Sequence, residues 1–225
     1  MDVWLLNIET ATTNCSVSIS KNGKIISCKE TNSKKYSHQE NLHKLIQTSI
    51  YECGIDLNHL SGVVVSKGPG SFTGLRIGVS AAKGLCFSLK IPLLSINSLT
   101  VLSQKIKVKE GTLLAPMIDA RRMEVYTQLH DYKHKIIKPS WAEILKPKSF
   151  YSFLSESKII AFGVGSEKCK EIINNKNFSI NKKFLYPSAK DMVNISFQKW
   201  KKQQFEDIAY FEPYYLKDFY TNSKT

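Results

Sequence analysis

A duplicated α/β fold is what this sequence predicts, and three observations predict it. Two successive stretches each run strand, turn, strand, strand, helix, strand, glycine loop, helix. An acid ends the first strand of each stretch, Glu9 in one and Asp119 in the other. Gly68-Pro69-Gly70 then corresponds in order to Gly163-Val164-Gly165. At 225 residues the chain is long enough for one large domain or two small ones with a real core. The expected units are βββαβα subdomains over 1–108 and 109–225, the second reduced, with its last helix and tail packing back on the first.

In the first unit, Val3 to Ile8 is an apolar run and Cys15 to Ser20 alternates around Val17 and Ile19. Lys24 to Glu30 follows the Lys21-Asn22-Gly23 turn, and Asn-Gly between alternating runs signals a hairpin. Ser37-His38-Gln39-Glu40 has the form of a capping box. Leu42, Leu45, Ile46, Ser49, Ile50 and Cys53 then recur at helical spacing until Gly54. Val63 to Val65 is a buried strand leading through the glycine loop to a helix from Leu75 to Leu89. Ile91 to Ile96 predicts a strand and Ser98 to Ile106 a helix.

In the second unit, Leu113 to Ile118, Glu124 to Leu129 and Lys135 to Ile137 predict three strands. Lys148 to Ser155 predicts a weak helix and Ile159 to Phe162 a strand. Helices are expected over Ser166 to Ile173 and Ala189 to Lys202, before the tail Phe211 to Lys217.

Composition excludes several classes. With 42% apolar and 23% charged residues the chain is neither disordered nor low in complexity. No apolar run approaches the roughly 18 residues of a membrane span, and Met1 to Leu6 lacks the form of a signal peptide. Five scattered cysteines without a C-x-x-C pair fit free thiols in a reducing cytoplasm. The net charge is +13. Residues 1–110 contribute 13 − 7 = +6 and residues 111–225 contribute 19 − 12 = +7, so no basic arm stands out. Only three of the 32 cations are arginine, the better bidentate reader of phosphates. Diffuse basicity still attracts polyanions in a salt-sensitive way.

The chemistry readable from residues is sparse. A cleft between the two units would be faced by the carboxylates of Glu9 and Asp119, which suit a metal–phosphate, with Thr10 beside them, and by the loops of Gly68, Gly70, Gly163 and Gly165, whose following helix starts suit anions. The same glycines serve equally in tight strand-to-helix turns, and no Gly-Lys-Ser/Thr makes a Walker loop. The five histidines lack metal-binding register and read as surface or helix-end residues. In the helix after the first glycine loop, Gly74, Gly78 and Ala82 recur every four residues beside Ala81. Each glycine there costs roughly 1 kcal/mol relative to Ala, which makes sense if another helix packs closely, from this chain or from a partner.

Beyond this, Lys67 to Gly78 (KGPGSFTGLRIG) resembles the signature of the bacterial TsaB (YeaZ) family. So do Ile8 to Ala11 with Cys15 to Val17, Ser37-His38, Met117 to Tyr126 (MIDARRMEVY), and the tail Pro213 to Lys217, with Lys217 where the family has Arg. The resemblance is specific through residue 126 and looser beyond. It implies the actin-like, sugar-kinase-like fold and a role in forming threonylcarbamoyladenosine in tRNA, at the adenosine 3′ of the anticodon. It also implies a non-catalytic subunit that pairs with and activates the TsaD transferase, is joined by the TsaE ATPase, and forms a homodimer when alone. The implied pairing surface is the helices of about 38–53 and 74–89, with Leu42, Leu45, Ile46, Gly74, Gly78, Ala81 and Ala82 as candidates. No cofactor is expected on the chain itself; ATP or ADP would bind only at the assembled complex, and tRNA would be reached through it. The paralogue's metal-binding histidines follow an Ile-Pro-like strand, whereas Ile91 to Leu102 here contains none. The alternative is a weak ATPase or small-molecule kinase of the actin-like class using Glu9 and Asp119.

Overall fold

The computed structural model describes residues 2–33 and 37–217. Among them lie two five-stranded mixed sheets. The first comprises β1 (Trp4–Glu9), β2 (Asn14–Lys21), β3 (Lys24–Asn32), β4 (Gly62–Gly68) and β5 (Leu93–Asn97). The second comprises β6 (Thr112–Asp119), β7 (Glu124–His130), β8 (Ile136–Ile144), β9 (Lys158–Phe162) and β10 (Phe178–Asn181). Their spatial orders, β3-β2-β1-β4-β5 and β8-β7-β6-β9-β10, are the same order repeated. In each, three strands meander antiparallel and two are added in parallel through crossovers, as parallel pairing requires. The crossovers of the first half are α1 (His38–Glu52) and α2 (Phe72–Leu89). Those of the second have shrunk to α4 (Tyr151–Leu154) and a single 3-10 turn, Ser166–Cys169. With α3 (Ser98–Ser103) and α5 (Ala189–Lys201) closing the halves, each is βββαβαβα, the actin-like, sugar-kinase-like plan.

The central strands are buried on both faces, so they read as continuous apolar runs. Leu6, Ile8, Val63 and Val65 face one way, onto Leu42, Ile46, Val79 and Ala82 of α1 and α2. Leu5, Val64, Leu94 and Ile96 face the other, onto Val101 of α3 and Ala189 and Met192 of α5. Each such fully buried aliphatic side chain stabilises the fold by ~1.5–3 kcal/mol. Leu102 and Ile106 join Leu114 and Phe162 of the second sheet, so the segment around α3 lies between the halves. Polar links continue that junction: Asn97 Nδ2 donates to Ser140 Oγ at 3.0 Å, and Lys105 pairs with Asp191 at 2.7 Å.

Several local expectations change. The capping box does not form: Ser37 makes no side-chain cap, and its Oγ instead accepts from Asn41 Nδ2 at 2.8 Å. α2 begins at Phe72 rather than Leu75, because Ser71 Oγ accepts from Gly74 N–H at 3.2 Å. The strand expected over Lys135 to Ile137 extends from Ile136 to Ile144. Pro139 fits there because β8 is an edge strand and its pairing with β7 is irregular on that stretch. The helix expected over Ser166 to Ile173 is only the 3-10 turn, and β10 completes the second sheet where no strand was expected.

Candidate functional site

The strand-end acid of the first half is fully buried. Glu9 Oε1 accepts from Ala11 N–H at 2.6 Å and from Ser66 Oγ at 2.9 Å, while Oε2 has no hydrogen-bond partner. Burial is the main cause that pushes its carboxyl up to about 7, partly offset by those two donors. The turn after it is packed as tightly. A Cβ at Gly70 would lie 2.3 Å from Ala11 O, one at Gly74 2.2 Å from Thr10 O, and one at Gly78 2.3 Å from Thr10 Oγ1. His38, from the start of α1, brings Nε2 to 2.7 Å from Thr12 O. The glycines therefore serve close approach of α2 to the β1–β2 turn.

The counterpart in the second half is open. Asp119 is exposed, and its Oδ1 accepts from Arg121 N–H at 2.6 Å and from Lys168 Nζ at 2.6 Å. Lys168 also donates to the carbonyls of Arg122 and Glu124. Gly68 and Gly163 hold equivalent left-handed conformations, with φ of +108° and +97°. A side chain at Gly163 would meet Met117 O, one at Gly165 the Ile118 carbonyl, and one at Gly68 the carbonyl of Tyr214. Glu9 and Asp119 thus do different things. One is a sequestered carboxyl whose charged neighbour is Asp191, and the other is a surface carboxylate held by a lysine.

The tail passes over the first glycine loop. Glu206 bridges to Leu93, Tyr214 N–H donates to Lys67 O at 2.7 Å, and Tyr215 stacks on Phe72 with ring centroids 4.9 Å apart. Lys217 pairs with Glu124 of the second half. This strap accounts for the close approach at Gly68.

The helical face divides differently from expectation. Gly74, Gly78 and Ala82 are buried within the chain, as are Leu42 and Ile46. They cannot contact a partner, because the β1–β2 turn and the first sheet already cover them. Leu45 and Ala81 are half-buried. The outward side of α2 carries Ser80, Gly84 and Phe87 instead; Phe87 is 80% exposed, and a Cβ at Gly84 would meet nothing. Tyr51 of α1 is 84% exposed.

Comparison with known proteins identifies the chain. A family model for TsaD, tRNA N6-adenosine threonylcarbamoyltransferase, matches residues 25–219. The tRNA threonylcarbamoyladenosine biosynthesis protein TsaB of Buchnera aphidicola subsp. Schizaphis graminum is 34% identical over 205 residues, which is 88% of this chain and 95% of that one. The chain belongs to the TsaB (YeaZ) family. TsaB of Bacillus subtilis is 34% identical over 154 residues, 64% of this chain and 66% of its own length. A crystal structure from Pseudomonas aeruginosa, described as an uncharacterized protein with similarity to peptidase YeaZ, shares the fold. Its TM-score is 0.82 at 22% identity, over 96% of this chain and all of that one. The family's role is in tRNA threonylcarbamoyladenosine biosynthesis.

Within this TsaB-family chain, sequence reasoning missed a buried histidine and a half-buried acid. His130, expected at the surface, is fully buried between Gln128 Oε1 at 2.9 Å and His134 O at 3.2 Å, and burial lowers its imidazole to about 4. Asp191, at the start of α5, is held by Lys105, yet burial still raises its carboxyl. Neither carries a local motif that announces its burial. Among the described residues no helix is long and apolar enough to cross a membrane, and no three His, Cys, Asp or Glu side chains gather as a metal-holding group.

Proposed function

We propose that this chain is a non-catalytic scaffold that pairs with and activates the TsaD transferase in forming threonylcarbamoyladenosine in cytoplasmic tRNA. The pairing surface is the outward side of α1 and α2. The observation that carries this is the exposed Phe87 beside the open face of Gly84 on α2, with Leu45 and Ala81 half-buried behind. An aromatic ring left in water next to a flat small-residue surface is the anatomy of a helix-packing interface. In this reading residues 1–108 carry the docking surface and residues 109–225 brace it. TsaE joins the pair, the same face closes a homodimer when the chain is alone, and ATP or ADP binds only at the assembled complex. The kinase alternative loses support: Glu9 is sequestered behind Ala11 and Ser66, and Asp119 is occupied by Lys168.

Phe87→Glu tests the proposal without touching the core. The variant should lose copurification with the transferase while its unfolding midpoint stays within about 2 °C, as expected for an exposed position. Retained copurification would remove the outward helical face from the account. Gly78→Glu is unsuitable for this purpose, because its side chain would enter the space of Thr10 Oγ1.

A further inference from the structure

All seven ion pairs among the described residues use lysine. The three arginines, Arg76, Arg121 and Arg122, are exposed and pair with no described carboxylate. Arg76 touches the C-terminal strap, and Arg121 and Arg122 form the turn before Glu124, the residue that the strap's Lys217 reaches. Arg76 Nε donates to Tyr215 Oη at 3.3 Å, and its guanidinium lies 3.9 Å from the centroid of the Phe72 ring, on which Tyr215 also stacks. Two residues on, within about 7 Å of chain, Lys217 pairs with Glu124, whose N–H donates to the carbonyl of Arg121 at 3.2 Å.

The acids of this neighbourhood are already taken. Asp119 is held by Lys168 and Glu124 by Lys217, so neither is left for a guanidinium. Arg121 and Arg122 are both left-handed, with φ of 67° and 45°, and the carbonyl of Arg122 is fixed by Lys168. The side chains best suited to bidentate oxyanion recognition are therefore the ones without a described carboxylate partner, Arg76 resting on Phe72 and Tyr215, while point-charge lysines neutralise the local carboxylates.

We propose that Arg76, Arg121 and Arg122 form a contact surface for the phosphate backbone of RNA. The occupant follows from charge complementarity. The chain carries +13 with an excess in both halves, and the three guanidiniums have no carboxylate partner among the described residues, which suits a polyanion. The proposal rests on the tRNA-modification reading above and deepens it: this subunit touches the substrate directly.

The test is binding of a fluorescein-labelled, unmodified tRNA transcript to the full chain between 50 and 200 mM salt. The variant Arg76→Gln/Arg121→Gln/Arg122→Gln is compared with Lys158→Gln/Lys170→Gln/Lys176→Gln. The second removes the same charge from exposed lysines outside the cluster. The arginine variant should bind at least about tenfold more weakly, and its log–log salt slope should fall by about 2 to 3. The lysine variant should stay within about twofold of wild type. Equal losses in both, or no binding by wild type at 50 mM salt, would overturn the proposal. Copurification with the transferase separates the two readings. An arginine variant that binds RNA normally but loses the transferase would mean that the guanidiniums face protein carboxylates, leaving the pairing proposal standing and this one refuted.

Discussion

Glu9 and His130 are buried titratable groups whose effects on stability run in opposite directions. Glu9 is raised from 4.5 to about 7 by burial. The folded chain therefore keeps a proton that the unfolded chain releases above about pH 4.5, and stability falls as pH rises from there to about 7. The size is on the order of 3 kcal/mol. His130 is lowered from 6.5 to about 4 by burial. Below about pH 6.5 the unfolded chain takes up a proton that the folded chain refuses, so stability falls as pH drops toward 4. The two slopes oppose each other over a shared window. Glu9→Gln, which keeps the acceptor for Ala11 N–H, should raise stability at pH 8 by roughly 2–3 kcal/mol and change it little at pH 4.5. It should also unmask a rise between pH 4.5 and 6.5. Urea midpoints at the three pH values check this, and an equal effect at pH 4.5 and 8 would contradict it.

At the scale of elements, α2 has glycines that do opposite things. Helix propensity alone favours Ala over Gly by roughly 1 kcal/mol at each position. Gly84→Ala should realise that gain, since the added methyl meets open space. Gly78→Ala should be destabilised by about 1–3 kcal/mol despite it, because the methyl collides with Thr10 Oγ1. Chemical unfolding of the two variants checks both signs; a stabilised Gly78→Ala would mean that the β1–β2 turn is not seated on α2. The sequence displayed the small-residue face but not the side it packs on. That depends on Thr10, more than 60 residues away, and no periodicity within the helix encodes it. The Asn22-Gly23 hairpin was legible because its two left-handed residues, φ of 50° and 77°, are a purely local demand. β10 was illegible because its polar surroundings, Asn174 to Asn177, hide a short edge strand specified by parallel pairing with β9.

At the scale of the whole molecule, the duplicated topology is intact while its two strand-end acids have diverged. The duplication was legible because each half repeats the same order of apolar runs, acid and glycine loop. The strap was not, because Tyr214, Tyr215 and Lys217 contact Lys67, Phe72, Arg76 and Glu124 through pairings of 93 to 147 residues' separation that no local pattern announces. The strap joins the first half's glycine loop to the second half and touches α2 at Lys83, whose Nζ donates to the carbonyls of Ala209 and Phe211, while Phe87 and Tyr51 stay exposed.

The decisive measurement is threonylcarbamoyladenosine formed in a tRNA transcript by the TsaD transferase and TsaE, with and without this chain. The account predicts that product accumulates only when the chain is added, that Phe87→Glu fails to support it, and that the chain alone consumes no ATP. Full product formation without the chain, or turnover by the isolated chain that is lost in Asp119→Ala, would contradict it.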